Sequence, residues 1–197
     1  MKNIEKLEKL IKEQHGTVLS SDLTRYDIPR TYLSMMVAEG KLEKMNRGVY
    51  ASIDSIEDEM YAMQSKYPKL IFSHETALFL HGLTDRTPYE YAATVPSGYK
   101  VVETLSERFK IYYIKKDLHL LGLCKVKSSF GNQIMAYNVE RTICDIIRSK
   151  SRIDIQIFND ALKRFVNKKS VDYTLLMKYA KDFKVEKKLK EYLEILL

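Results

Sequence analysis

The stretch from residue 17 to residue 51 constrains the fold most, because two helix signals follow one another across a very short turn. Its sequence is TVLSSDLTRYDIPRTYLSMMVAEGKLEKMNRGVYA. The first helix is predicted over Ser20–Tyr26. The second, Pro29–Glu39, begins with a proline, whose missing N–H is tolerated in the first turn, and it ends at Gly40. The pattern therefore predicts helix, tight turn, helix.

A hairpin signal follows the second helix directly. Two extended arms, Lys41–Met45 and Val49–Ala51, flank Asn46-Arg47-Gly48, a three-residue tip whose glycine is available for a left-handed conformation. Upstream, Ile4–Gln14 has one apolar stripe and predicts an amphipathic helix. Together these elements predict a winged helix-turn-helix in residues 1–53, a layout that inserts a helix into the major groove of DNA.

The predicted DNA contacts lie on the outward face of the second helix and on the hairpin. The inward side is predicted to hold Pro29, Leu33, Met36, Val37 and Gly40. The predicted DNA-binding residues are Arg30, Thr31, Tyr32, Ser34, Met35, Lys41, Lys44 and Arg47. Arg30 is suited to pair with guanine, and Arg47 to meet the DNA backbone or the minor groove. Because one such domain reads few bases, two copies on repeated half-sites are expected.

Residues 54–197 predict a second domain that combines a small sheet with helices. Ser55 followed by Asp58 is a weak capping-box variant and predicts a helix to about Ser65, and Ser73 opens a further helix that ends at Gly82. Strands are predicted at Tyr91–Val95, Lys110–Ile114, Lys125–Phe130 and Gln133–Tyr137, the last two joined by a two-residue turn at Gly131-Asn132. Further helices are predicted at Val139–Arg148, Ile155–Val166, Tyr173–Phe183 and Val185–Leu196. The fold class is α+β, an N-terminal winged helix-turn-helix followed by a mixed small-sheet and helical C-terminal domain.

The charge of the chain is uneven. The net charge is +7, and residues 161–197 hold ten basic against five acidic residues, so most of the excess lies at the C-terminal end. This end predicts a second basic surface that contacts phosphate or an acidic protein, or else is a solvated helix face. Its residues are Lys163, Arg164, Lys168, Lys169, Lys181, Lys184, Lys187, Lys188 and Lys190.

Composition excludes several classes of protein. No run approaches the roughly 18 consecutive apolar residues of a membrane span. The N-terminus mixes Glu with Lys and lacks the apolar core of a signal peptide. Cys124 and Cys144 are too few for a disulfide scaffold or a four-ligand metal site, so a reduced, cytoplasmic location is expected.

The sequence predicts no enzyme, no metal site and no cofactor. Glycine-rich phosphate loops are absent, and His74-Glu75 is not followed by a histidine three residues later, as HExxH would require. His74 is interpreted as a residue of the helix start, and His81 as a cation that favours the helix C-terminus. Arg141 and Asp145 are four residues apart on one helix, which favours a structural ion pair.

Four segments in order resemble the AbiEi antitoxin family, and the likeness covers nearly the whole chain. They are RTYLSMMVAEGKLEKMNRGVYA, SHETALFLHGLTDRTP, YAATVPSGY and YNVERTICDIIR. The resemblance implies an antitoxin of a bacterial abortive-infection (phage-defence) toxin–antitoxin system. Its winged helix would repress its own promoter through inverted repeats, and its second domain would counteract a nucleotidyltransferase toxin encoded alongside. In this family a stable toxin–antitoxin complex is described as unnecessary.

The resemblance places Arg30, Thr31, Ser34 and Arg47 at the DNA-reading positions. The segments His74–Gly82 and Glu140–Asp145 are those most typical of the second domain. A toxin of the nucleotidyltransferase type would need a Gly-Ser element followed by paired carboxylates for metal. This chain has no Gly-Ser pair, so it resembles the antitoxin and not the toxin.

Three alternatives stay open at this point. The first is a plain transcriptional regulator whose second domain senses a ligand or mediates dimerisation. In the second, the winged helix is a protein-interaction module. The third is an enzyme acting on nucleic acid or protein, for which Glu140 and Asp145 are the candidate acidic residues.

Overall fold

The structure is a computed structural model, and it divides the chain into two compact units. The described residues are 3–53 and 58–196, with the backbone alone at Asn46 and Thr104. The first unit comprises Met1–Pro68 with Lys127–Ile134, and the second comprises Lys69–Val126 with Met135–Leu197. No helix in the described part of the chain is both long and apolar enough to cross a membrane.

The first unit is a winged helix-turn-helix, as the sequence predicted. In chain order its elements are α1 (Asn3–Glu13), β1 (Thr17–Leu19), α2 (Ser20–Arg25), α3 (Thr31–Ala38), β2 (Leu42–Asn46), β3 (Val49–Ser52) and α4 (Glu59–Lys66). Strand β3 pairs antiparallel with both β1 and β2 and is the middle strand of their sheet. Helices α2 and α3 are joined by the tight turn that contains Asp27, a residue with a φ of 53°.

Strand β1 was not predicted. Thr17–Leu19 is too short for a polar-apolar alternation to show, and it becomes a strand because it pairs with Val49–Ala51. Ser55, part of the predicted capping box, lies outside the described residues. Asp58 caps α4 by itself, accepting a hydrogen bond from the backbone N–H of Tyr61.

The predicted domain boundary lies between residues 53 and 54, and residues 54–57 are outside the described part of the chain. The first compact unit continues beyond them to Pro68, because α4 packs against β3. Its core comes from the apolar faces of the three N-terminal helices and the adjoining strands. The buried members are Leu7, Leu10, Ile11, Val18, Leu23, Ile28, Leu33, Met36 and Leu42.

The second unit combines a mixed sheet with helices, as predicted. Its elements are β4 (Ile71–Phe72), α5 (His74–Leu80), β5 (Tyr91–Pro96), α6 (Glu103–Ser106), β6 (Phe109–Ile114), α7 (Lys116–His119), β7 (Leu123–Lys127), β8 (Gln133–Tyr137), α8 (Val139–Arg148), α9 (Ile155–Val166), α10 (Tyr173–Asp182) and α11 (Glu186–Leu196). Among the described residues the strand order is β6-β5-β4-β8-β7. The β4–β5 pair is antiparallel, whereas β4–β8 and β5–β6 are parallel.

The predicted two-residue turn at Gly131-Asn132 is wrong. Strand β7 ends at Lys127, so five residues separate it from β8. The longer connection forms because the Ser128 N–H donates to the Asn132 carbonyl and the Gly131 N–H donates to the Ser128 carbonyl. These backbone hydrogen bonds, and not the Gly131-Asn132 pair alone, set the length of the connection between β7 and β8.

Helix α8 organises the core of the second unit. Asn138 caps it by accepting from the Arg141 N–H, and Ile143, Ile146 and Ile147 are buried. Helices α9 and α10 are likewise capped by the side chains of aspartates that precede them. Residues of α8, α9, α10 and α11 contribute to one apolar cluster, so each helix depends on burial of one face.

Candidate nucleic-acid interface

Helix α3 presents the outward face that the sequence predicted. Leu33 and Met36 are buried, whereas the side chains of Thr31, Ser34 and Met35 are exposed. Tyr32 is half-buried and packs against the core of the first unit. The arrangement follows the 3.6-residue period of the helix. One side of α3 anchors it, and the other side is left free for a ligand.

Pro29 and Gly40 were predicted to pack inward, and both are exposed. The helix is shorter than predicted, Thr31–Ala38, so these two residues lie beyond its ends and the helical wheel does not apply to them. Gly40 instead ends the helix in the left-handed region, at a φ of 68°.

Arg30 lies immediately before α3, and its side chain is hydrogen-bonded to α2 and not to α3. Its backbone is helical, with a φ of −64° and a ψ of −18°. A guanidinium nitrogen, Nη2, donates to Thr24 Oγ1 of α2 at 3.4 Å, and both side chains are exposed. Thr24 therefore holds the guanidinium of Arg30 at the surface in the absence of DNA.

The basic residues of the hairpin differ in how free they are. Lys44 and Arg47 are exposed, and the register of β2 against β3 shifts between Lys44 and Asn46. Lys41 is paired instead, since its Nζ lies 2.8 Å from a carboxylate oxygen of Glu39. That hydrogen bond and charge raise the pKa of Lys41. Lys41 consequently offers a partly neutralised charge, whereas Arg47 offers a full one.

The hairpin tip is fixed to the start of α2. Gly48 has a φ of 79°, and its carbonyl accepts a hydrogen bond from the Ser20 N–H at 2.8 Å. A Cβ added to Gly48 would lie 2.7 Å from Ser20 Oγ. The tip therefore needs glycine both for its backbone conformation and for close approach, and Arg47 is presented from a constrained position.

Replacing Gly48 with alanine is expected to destabilise the first unit by about 1–3 kcal/mol, because left-handed strain and a clash with Ser20 Oγ add together. Gly40→Ala is the matched control. Gly40 has a similar φ of 68°, but a Cβ there meets nothing within 4 Å. Urea denaturation of both variants should show the larger loss in Gly48→Ala. Equal losses would mean that contact with Ser20 does not constrain the tip.

The second basic surface is less uniform than its sequence suggested. Arg164 pairs with Asp85 and with Asp160, and Lys190 pairs with Glu186 at 2.9 Å. The hydrogen bonds that Arg164 donates to Asp85 and Asp160 raise the pKa of Arg164. Lys168 is half-buried. The exposed remainder comprises Lys163, Lys169, Lys181, Lys184, Lys187 and Lys188.

A buried histidine forms a polar cluster in the second unit. His74 has a φ of 47°, and its ring nitrogens lie 2.9 Å from Ser73 Oγ and 3.1 Å from Ser149 Oγ. The ring stacks on Tyr112 with centroids 3.4 Å apart. Burial, followed by nearby arginines, holds the pKa of His74 well below its usual value. The neutral ring therefore has a structural role, since its two nitrogens join Ser73 to Ser149 through hydrogen bonds.

The interpretation of His81 as a charged C-terminal residue is wrong. Its side chain is partly buried, and Nε2 donates to the Tyr137 carbonyl at 2.7 Å. Burial lowers the pKa of His81, so the neutral form is favoured. A hydrogen bond to strand β8, and not an interaction with the helix dipole, accounts for its position.

Acidification is expected to destabilise the second unit through His74. The folded-state pKa of His74 is depressed, so the unfolded chain binds the extra proton. Stability is therefore complete above about pH 6.5 and falls below it by about 1.4 kcal/mol per pH unit for one histidine. Denaturation midpoints at pH 7, 6 and 5 measure this slope. In His74→Asn, whose asparagine tolerates a left-handed φ, the protein should take up about one proton fewer on unfolding, so the slope of unfolding free energy against pH should be smaller. An unchanged slope would show that other groups dominate the pH dependence.

The acidic residues of α8 have structural partners. Arg141 Nε donates to Asp145 Oδ2 at 2.9 Å, which confirms the predicted ion pair, and both side chains are buried. Glu140 Oε1 accepts from the Asp172 N–H.

Burial raises the pKa of Cys144 to about 12 and also raises that of the half-buried Cys124. Within the described residues, no three His, Cys, Asp or Glu side chains form a group that could hold a metal ion.

Comparison with known families bears on the first unit. Residues 5–53 match the family described as "Transcriptional regulator, AbiEi antitoxin". This stretch of the N-terminal unit is therefore similar to the AbiEi regulators. The match confirms the resemblance over this stretch, and the matched residues span the elements from α1 to β3, which contain the exposed face of α3 and the hairpin.

The fold of most of the chain is similar to that of a solved structure. The chain is similar to the RV2827C protein from Mycobacterium tuberculosis, whose crystal structure aligns with a TM-score of 0.57 and 14% identity. The alignment covers 88% of this chain and 69% of that one. At this identity the likeness concerns the fold alone. No curated protein matches the sequence.

Two residues of α2 were missed when the DNA-facing side was interpreted from sequence. Thr24 holds Arg30, and Ser20 holds the hairpin tip at Gly48. In the sequence Ser20 is only the first residue of the predicted helix Ser20–Tyr26. Its contact with Gly48 joins residues 28 positions apart, so no local pattern in the sequence could have revealed it.

Proposed function

We propose that this protein is an antitoxin and transcriptional autorepressor that binds inverted repeats in its own promoter. The winged helix contacts double-stranded DNA in the cytoplasm, and the C-terminal part counteracts a cognate nucleotidyltransferase toxin. The observation that carries the DNA-binding half is the exposed face of α3, with the exposed Arg30 just before it and the exposed Arg47 at the hairpin tip, all within the stretch that matches the AbiEi family model.

The contacts divide by chemistry. Arg30 pairs bidentately with a guanine edge, while Thr31 and Ser34 reach bases or phosphates. Tyr32 and Met35 add apolar contact. Lys41, Lys44 and Arg47 of the hairpin meet the DNA backbone or the minor groove. Base contacts supply sequence preference, and the lysines supply affinity for any duplex.

Two copies act together on the operator. Helix α3 has eight residues, so it spans about 12 Å and reaches only a few base pairs. A single module of this size binds weakly at physiological salt. Two-fold related copies therefore match inverted half-sites, whose centres are spaced by about one helical turn of DNA or a multiple of it.

Arg30→Ala is expected to weaken operator binding by about 1–3 kcal/mol and to remove preference for operator over random DNA, because the guanine contact is lost. Fluorescence anisotropy with operator and scrambled duplexes measures both. Arg86→Ala, which removes an exposed arginine from the second unit, is the matched control and should bind normally. If Arg30→Ala keeps full sequence preference, base reading lies elsewhere.

The antitoxin half rests on the motifs of the second domain. Its segments His74–Gly82 and Glu140–Asp145 resemble those of AbiEi antitoxins, and the toxin is counteracted without need of a stable complex. The exposed lysines of the second basic surface would contact DNA or an acidic partner. Co-expression with the adjacent toxin gene tests this half, because a plain regulator that senses a ligand or dimerises would not rescue growth.

A further inference from the structure

The DNA-binding unit contains a segment from far along the chain. Residues Lys127–Ile134 cluster with Met1–Pro68, although β7 and β8 on either side of them belong largely to the second unit. The chain therefore passes between the two units at three points and not at one.

A buried carboxylate fixes the segment. Asp58 is fully buried, and its Oδ2 accepts hydrogen bonds from Ser128 Oγ and from Asn132 Nδ2, the latter at 3.0 Å. Its other oxygen accepts from the Tyr61 N–H at 3.1 Å. Ser128 Oγ accepts in turn from the Asn132 N–H at 3.2 Å. We call Asp58, Ser128 and Asn132 the latch.

A close backbone approach accompanies the latch. Gly131 has a φ of 88°, and a Cβ there would lie 2.5 Å from His15 Nε2, just after α1. The segment is therefore seated against the N-terminal part of the winged helix as well as against α4. Such fit requires both the glycine and the buried hydrogen bonds.

Hydrogen bonds lead from the latch to the helices that face DNA. Asp58 caps α4, and Tyr61 of α4 donates through its hydroxyl to Asp22 of α2 at 3.5 Å. Gln14 Nε2 donates to the same Asp22 oxygen at 3.0 Å. Helix α2 in turn holds Arg30 through Thr24 and the hairpin tip through Ser20.

We propose that residues 127–134 are a functional part of the DNA-binding unit, and that the latch makes the geometry of α2, Arg30 and the hairpin depend on this segment. A conformational change in β7 or β8, the strands on either side of the segment, therefore changes the affinity of the protein for DNA. The structural half of this proposal stands without the proposed function, and the affinity half rests on it.

Native-state hydrogen exchange on the full-length protein tests the structural half. The amides of Tyr61 and Asn132, both bonded within the latch, are expected to open together with those of α3. Ser128→Ala should speed exchange at Tyr61 by about tenfold or more, because the buried Asp58 side chain loses the hydrogen bond that the Ser128 hydroxyl donates to it. Ser129→Ala is the matched control, since Ser129 is the adjacent exposed serine, and it should change nothing.

The outcomes separate the two halves. If the Asn132 amide of the wild-type protein opens with β4 and β5 instead of α3, the segment belongs to the second unit and the proposal fails, whatever the variants do. If exchange behaves as expected, Ser128→Ala should also weaken operator binding by about tenfold in anisotropy, with Ser129→Ala unchanged. Normal binding by Ser128→Ala overturns the affinity half. Absence of binding by the wild type contradicts the proposed function and leaves the structural result standing.

Discussion

Replacing Arg141 with alanine is expected to unfold the second unit or to cost it about 3–5 kcal/mol, the largest stability effect predicted for this chain. Arg141 is fully buried, and its partner Asp145 is buried too. Removing the guanidinium leaves the Asp145 carboxylate in an apolar surrounding without its counter-charge. Small domains have only about 5–15 kcal/mol to lose.

The packing around Arg141 adds to this loss. Its guanidinium lies 4.0 Å from the ring centroids of both Tyr137 and Phe183. Its Nη1 donates to the carbonyls of Leu118 and Leu121, which hold the turn before β7. Alanine therefore removes cation–π contacts, hydrogen bonds and side-chain volume together.

Urea denaturation followed by far-ultraviolet circular dichroism measures the effect. Arg148→Ala is the control, since Arg148 is an exposed arginine of the same helix, and its cost should be below about 1 kcal/mol. The double variant Arg141→Met, Asp145→Leu should recover most of the loss, because no charge is then buried unpaired. A small effect of Arg141→Ala would show that Asp145 is already neutral in the folded protein.

Raising the salt concentration from 50 to 200 mM is expected to weaken operator binding by about a thousandfold. Each of Lys41, Lys44 and Arg47 that neutralises a phosphate contributes about 0.9 to the slope of log affinity against log salt. Two copies on one operator give a slope of about 5, and that slope converts a fourfold change in salt into about three decades of affinity.

The slope also reports which residues contact phosphate. Arg47→Ala should lower it by about two units for the pair of copies, since one contact is lost from each. Lys41→Ala should lower it less, because Glu39 already pairs with Lys41. Lys100→Ala, which removes an exposed lysine of the second unit, should leave it unchanged. Affinity that does not depend on salt would contradict a phosphate-binding hairpin.

The elements of the winged helix were readable because their signals are local. Proline near the start of α3, glycine at its end and the period of Leu33 and Met36 predicted the helix to within two residues at its N-terminus and one at its C-terminus. The hairpin followed from glycine at its tip. Helix α9, Ile155–Val166, was predicted to the residue, and in the structure the Asp154 side chain caps it.

What was missed depends on partners distant in sequence. Strands β1 and β4 have three and two residues, and each exists through its pairing with a distant strand. The state of His81 depends on burial and on a bond to the Tyr137 carbonyl, 56 positions away. A helix-end rule based on neighbours in sequence therefore assigned it the wrong charge.

Local signals in the sequence were enough to predict most of the helices and strands in their order along the chain, and to predict which residues of α3 face outward. These features follow from backbone preferences and hydrophobic periodicity within a few residues of chain. Tertiary structure alone decided that Ser20 holds the hairpin tip, that Thr24 holds Arg30, and that Asp58 joins residues 127–134 to the first unit. Such contacts satisfy polar groups removed from water on folding, and their partners are fixed only when distant segments are packed together.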